Sequence, residues 1–160
     1  MQEALGRYTR RLRVVCAALL ASVAAYAGVV AALPLLAEPA FPQGEPLLWG
    51  FAFLAAVNLV TIMPVYRAML AGPRRVYTVG QQPERLLAAH FTAHTVAFAR
   101  LEAVAILGLV LFFLTGRQDW FWIFIGVAAV GMVILWPRRS KVAALLELPG
   151  EGAIQVPTSP

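Results

Sequence analysis

Four long apolar runs, each bounded by arginines or by glycine- and proline-rich turns, leave this sequence few folds to choose from. A helix needs ~20 apolar residues to cross ~30 Å of hydrocarbon. Backbone polar groups at that depth must be satisfied within the segment itself. The first run covers about residues 14–37 and follows Arg7, Arg10, Arg11 and Arg13. Within it, Ala25-Tyr26-Ala27 has the small-x-small pattern of a signal-peptide cleavage site. The apolar run continues well past that point, which predicts an uncleaved span.

Glu38 to Pro46 contains three prolines and a glycine and reads as a loop. A second span is expected over about 47–70, with Pro64 removing a backbone donor and favouring a kink. Gly72-Pro73-Arg74-Arg75 and Gly80-Gln81-Gln82-Pro83-Glu84-Arg85 read as a polar, turn-rich connection. Pro83 and Glu84 suit the first turn of a third helix. That helix can run to Thr115, about 50 Å at 1.5 Å per residue. Its membrane span is expected over about 90–115, with the preceding turns in the interface. A short turn at Gly116 to Asp119 leads to a fourth span over 120–136, with Trp120 and Trp136 as interfacial anchors. The sequence therefore divides into a transmembrane domain, 1–141, and a tail, 142–160. The tail is expected to open with a short amphipathic helix from Val142 and to be disordered from Pro149.

Composition agrees with lipid exposure. The chain is 61% apolar and 13% charged, against about 45–50% and about 25% for soluble domains. Its net charge of +5 does not point to nucleic acid, because the cations cluster where apolar runs end. Eleven of them fall on one side of the expected spans: four before the first span, then Arg67, Arg74, Arg75 and Arg85, then Arg138, Arg139 and Lys141. Arg117 stands alone on the other side. The positive-inside rule then predicts a multi-pass protein of a cell membrane, of the bacterial inner-membrane type, with both termini cytoplasmic. The expected fold class is an all-α integral membrane protein, four transmembrane helices in an up-down bundle.

Polar groups inside the spans require a reason. At 100° per residue, with His90 at 0°, His94 lies at about 40°, Glu102 at about 120°, Thr95 at about 140° and Arg100 at about 280°. Glu102 and Thr95 share a face, and Arg100 points away from it. Arg100 can snorkel to the cytoplasmic surface. Glu102 is deeper, and a carboxyl in low dielectric favours its neutral form, so it could carry a proton or an ion. It could equally join helices by bonding Asn58 or Thr61 of the second span. The candidate ion- or proton-binding set is therefore Glu102, Thr95, Asn58 and Thr61. Arg74, Arg75, Arg85, His90, His94 and Arg100 form a candidate interface with headgroups or a partner. His90 and His94 have the spacing of a metal pair, but two ligands are too few for a zinc site. Neither a metal nor a cofactor is expected. Cys16, the single cysteine, reads as a small buried hydrophobe.

Gln82-Pro83-Glu84 and the run Leu101-Glu102-Ala103-Val104-Ala105-Ile106-Leu107-Gly108-Leu109-Val110-Leu111 resemble the loop and second helix of rotary ATP synthase proteolipids, the c subunits. The resemblance covers residues 80–114. It implies a proton-bearing carboxyl at Glu102. It does not imply a rotor ring, because the preceding helix has Trp49, Phe51 and Phe53 where that family has alternating glycines, and Gln81 stands in place of the loop arginine.

Two functions follow as expectations. The first is a small non-enzymatic subunit or accessory protein of a membrane complex. The second is a proton- or cation-coupled transporter completed by homo-oligomeric symmetry. The bilayer is the expected partner in both, together with another membrane protein or further copies of the chain.

Overall fold

The computed structural model describes residues 2–33, 44–80, 83–138, 140 and 142. The described chain is all-helical: α1 (Gln2–Ala32), α2 (Glu45–Gly80), α3 (Pro83–Thr115) and α4 (Gln118–Ile134). Three of these contain segments long and apolar enough to cross a membrane, Gly6–Ala32, Glu45–Arg75 and Glu84–Thr115. The fourth, Gln118–Ile134, is a shorter apolar helix of 17 residues, about 26 Å long.

α3 is the hub. It packs against α1, α2 and α4, and α1 also packs on α4. Contacts fix the directions. Tyr66 of α2 meets His90 of α3, and Thr61 meets Arg100, so these helices run antiparallel. Phe112 meets Phe121, and Gly108 lies against Phe124, so α3 and α4 do the same. Tyr8 meets His90 and Ser22 meets Glu102, so α1 runs parallel to α3. The chain goes up, down, up, down.

Burial follows sequence spacing. α1 buries Leu12, Cys16, Val23 and Val30, and α2 buries Leu48, Ala55, Ile62 and Leu70, so the seams recur at four, seven or eight residues. That is a narrow stripe, wide enough for one neighbour. α4 buries Phe121, Phe124, Ile125, Ala128 and Met132. The outward faces of α2 and α4 carry exposed Trp49, Phe53, Val60, Val130 and Ile134.

Several boundaries differ from the sequence expectation. α1 begins at Gln2, because arginine is a good helix former and the helix continues past the end of the apolar run. It stops at Ala32, close to Pro34, which disfavours helix in the residue before it. The expected end near residue 37 lies outside the described residues. The largest correction concerns 72–75, expected as a turn. α2 runs through Pro64 and Pro73 to Gly80. Each proline withdraws only one donor from the ladder, and the flanking residues continue the helix. The junction with α3 narrows to residues 81–82, outside the described set, as is the tail beyond 142. α3 has its expected limits, and α4 starts two residues early and ends at Ile134.

At the α3–α4 turn, Gly116 adopts φ 71° and donates its N–H to the Phe112 carbonyl at 2.8 Å. This is a left-handed helix cap that favours glycine. Arg117 follows, bonded to Asp119 at 2.6 Å. The guanidinium holds the Asp119 carboxyl below the usual carboxylate range. Both groups are solvent-exposed, so the pair adds little stability.

The α3–α4 approach is closest at Gly108, where an added Cβ would lie 2.5 Å from Phe124 Cβ. That atom cannot move without its backbone. Gly108→Ala should force the helices apart and destabilise the bundle by about 1–3 kcal/mol, read as a fall in Tm in detergent. Gly126→Ala, with nothing within 4 Å of the new methyl group, should leave Tm unchanged or raise it slightly.

Candidate functional site

The polar side chains of α3 do not converge on one centre. They separate into two regions about 18 Å apart along the helix, the twelve residues between His90 and Glu102 at 1.5 Å each.

The first region lies at the end of the bundle shared by the start of α1, the end of α4 and the second half of α2. His90 and His94 are both buried, a correction to their expected interfacial exposure. Being four residues apart, they stack with ring centroids 5.2 Å apart, and His94 stacks in turn on Phe98 at 5.7 Å. Tyr66 of α2 presents its ring edge-on to both imidazoles. Each histidine has a structural partner. The Tyr8 hydroxyl of α1 lies 2.6 Å from His90 Nδ1. His94 Nε2 lies 2.7 Å from the carbonyl oxygen of Leu135, the residue that ends α4. A carbonyl can only accept, so Nε2 carries the hydrogen and satisfies one of the orphan acceptors of that helix end. Arg13 Nε donates to the next loop carbonyl, that of Pro137, at 3.3 Å. Among the described residues no group of three His, Cys, Asp or Glu side chains could hold a metal ion.

The second region surrounds Glu102, which is half-buried in the seam between α3 and α1. Its Oε1 lies 2.5 Å from Ser22 Oγ and accepts from the Tyr26 hydroxyl at 3.0 Å. Ser22 and Tyr26 are four residues apart and so share one face of α1. Sequence reasoning missed both, because single hydroxyls in a long apolar run look incidental. Their matched spacing was the available signal. Ser22 Oγ is also 2.7 Å from the Leu19 carbonyl. A serine hydroxyl has one hydrogen, yet here it has two oxygen neighbours. Either that hydrogen is shared between the two oxygens, or one contact is made by a hydrogen of another group.

The rest of the expected set lies elsewhere. Arg100 points away from Glu102, as the helical period predicts, and donates to the Thr61 hydroxyl of α2. It is thus tied within the fold instead of reaching only for the surface. Thr61 also bonds back to the Val57 carbonyl, and Asn58 bonds back to that of Leu54. Neither reaches Glu102. This overturns the expected pairing of Glu102 with α2. The reason is rotational: Glu102 is turned to α1, and Arg100 is turned to α2. Thr95 Oγ1 is buried with no hydrogen-bond partner among the described residues. Arg74 and Arg85 are exposed, as is Arg75.

Tyr8→Phe should strip the buried His90 ring of its partner and lower stability by about 1 kcal/mol, measured by thermal unfolding. Tyr66→Phe, which keeps the ring contact, should be close to neutral. Equal losses in both would contradict the assigned roles.

No protein-family model, curated protein or solved structure matches the chain, so the functional reading rests on its own geometry.

Proposed function

We propose that the chain is a small integral membrane protein, a non-enzymatic subunit or accessory protein of a larger membrane complex, with Glu102 joining two of its helices as a proton-bearing carboxyl. In this reading all four helices cross the bilayer. α4, about 26 Å long, is close to the ~30 Å of hydrocarbon, and Trp120 and Trp136 flank it as interfacial anchors. Four spans of alternating direction support having both ends of the chain on one side. The eleven clustered cations assign that side to the cytoplasm of a bacterial-type inner membrane. The exposed apolar faces of α2 and α4 meet lipid or partner helices.

The observation that carries the reading is the hydrogen count at Glu102. If the carboxyl is neutral, its own hydrogen goes to Ser22 Oγ, and the Ser22 hydrogen goes to the Leu19 carbonyl. The Tyr26 hydroxyl donates to Oε1, and each of the three contacts then has its own hydrogen. If the carboxyl is ionised, Oε1 accepts from both hydroxyls and Ser22 divides its one hydrogen between Oε1 and the Leu19 carbonyl. A neutral carboxyl bonded to two hydroxyls of a neighbouring helix is a helix–helix joint.

The second reading is a homo-oligomeric proton- or cation-coupled transporter. Its support is the half-exposure of Glu102 at the α1–α3 seam, where another copy could complete a pathway. Against it, Asn58 and Thr61 are engaged by their own backbone and by Arg100, and so do not line that seam.

Two substitutions separate these readings. Glu102→Gln keeps a donor and an acceptor and should preserve assembly and Tm. Glu102→Leu should lower stability by about 0.6 kcal/mol for each of the two bonds lost. Native mass spectrometry of the chain purified in mild detergent should find a stoichiometric foreign partner retained by the Gln variant and weakened in the Leu variant. A clean homo-oligomer whose proton flux disappears in Glu102→Gln would reject the subunit reading in favour of the transporter.

A further inference from the structure

The histidine end of the bundle contains an opening that the subunit reading does not use. α2 and α4 both pack on α3 without packing substantially on each other. Between them lies a cavity of about 250 Å³. Met63 and Ala97 form part of its apolar wall, Tyr66 and His90 lie deeper, and Trp136 and Arg138 belong to the segment that closes α4.

Three features define what would fit. First, the cavity is smaller than the ~300–1,000 Å³ of sites that engulf a whole small ligand. It suits one apolar part of a larger amphiphile whose head stays outside. Second, the described lining residues of the cavity include a cation, Arg138, and no carboxylate. Arg138 is exposed at it, and exposed Arg74 stands outside the lining, about two turns beyond Tyr66 on α2. Third, His90 is 3% exposed and has Nδ1 engaged by Tyr8. Its Nε2 is the ring nitrogen left for the cavity that this residue lines.

We propose that this cavity is a binding site for one anionic phospholipid. An acyl chain lies between α2 and α4, and the phosphate sits at Arg74 and Arg138. Opposite charge favours the lipid phosphate by about five-fold in affinity per nearby arginine. The apolar wall supplies binding that is indifferent to the headgroup. This inference rests on the bilayer placement proposed above and adds a ligand class to it.

The test uses the full chain in detergent, exposed to phosphatidylglycerol or phosphatidylcholine of matched acyl chains and read by native mass spectrometry. One phosphatidylglycerol should be retained, preferred over phosphatidylcholine by about 25-fold, about five-fold for each of the two arginines. The exposed pair Arg74→Gln/Arg138→Gln should abolish the preference while leaving Tm unchanged. Met63→Trp, at a half-exposed wall position, should lower retention of both lipids by filling the groove. Inorganic phosphate should not displace the bound lipid, because it lacks the chain. Equal retention of the two lipids, a preference that survives the arginine substitutions, or displacement by phosphate would overturn the site. Insertion into phosphatidylcholine vesicles reports bilayer placement independently, so failure of the lipid site and failure of the membrane reading remain distinguishable.

Discussion

α3 hands a polar side chain to each of its three neighbours, and the bundle is organised around that division. His90 and Glu102 reach α1, Arg100 reaches α2, and His94 reaches the end of α4. Apolar packing between helices is permissive about rotation and sliding, because one aliphatic contact resembles the next. A hydrogen bond to a defined partner is not. Each of these contacts fixes the rotation of one helix about its axis and its height against α3. The narrow seams of α1 and α2 supply contact area without that selectivity. α4 has a second constraint, since the Gly108 approach admits Phe124 only at one height.

This division also explains why the polar residues do not form a single reactive centre. A helix that is surrounded on three sides distributes its side chains radially. Glu102 and Arg100 are two residues apart and must diverge. The two histidines share a face but bond to different helices. The chemistry available is therefore local. It comprises a carboxyl in contact with two hydroxyls, and an aromatic stack beside an apolar opening.

Much of this was legible in the sequence. The helical class, the limits of α3 and the divergence of Arg100 from Glu102 follow from run length, Pro83 and the 100° period. The partner of each side chain was not legible, because rotation fixes what a residue faces on its own helix but not which helix lies there. Ser22 and Tyr26 were overlooked for that reason, and Asn58 and Thr61 were favoured because they were the more polar residues. The continuation of α2 through Pro73 was hidden by composition. Gly-Pro-Arg-Arg has the residues of a turn, yet one missing donor is a small defect in a helix of 36 residues. His94 was weighed as a ligand or a headgroup contact, and its role as a cap for a distant carbonyl has no signature in local spacing.

The His94–Leu135 bond bears on how the protein tolerates membranes of different thickness. A short helix normally depends on water or lipid headgroups for its last carbonyls, so its ends are drawn to the interface and a thick bilayer must thin around it. α4 has one of its terminal acceptors satisfied by a side chain from the neighbouring helix instead. That end of α4 can lie below the headgroups without exposing this carbonyl to hydrocarbon. If α4 crosses the bilayer as proposed, a change in bilayer thickness would be met mainly by the longer helices, which can tilt. At that end, one acceptor of the shortest helix makes no demand on the surrounding interface.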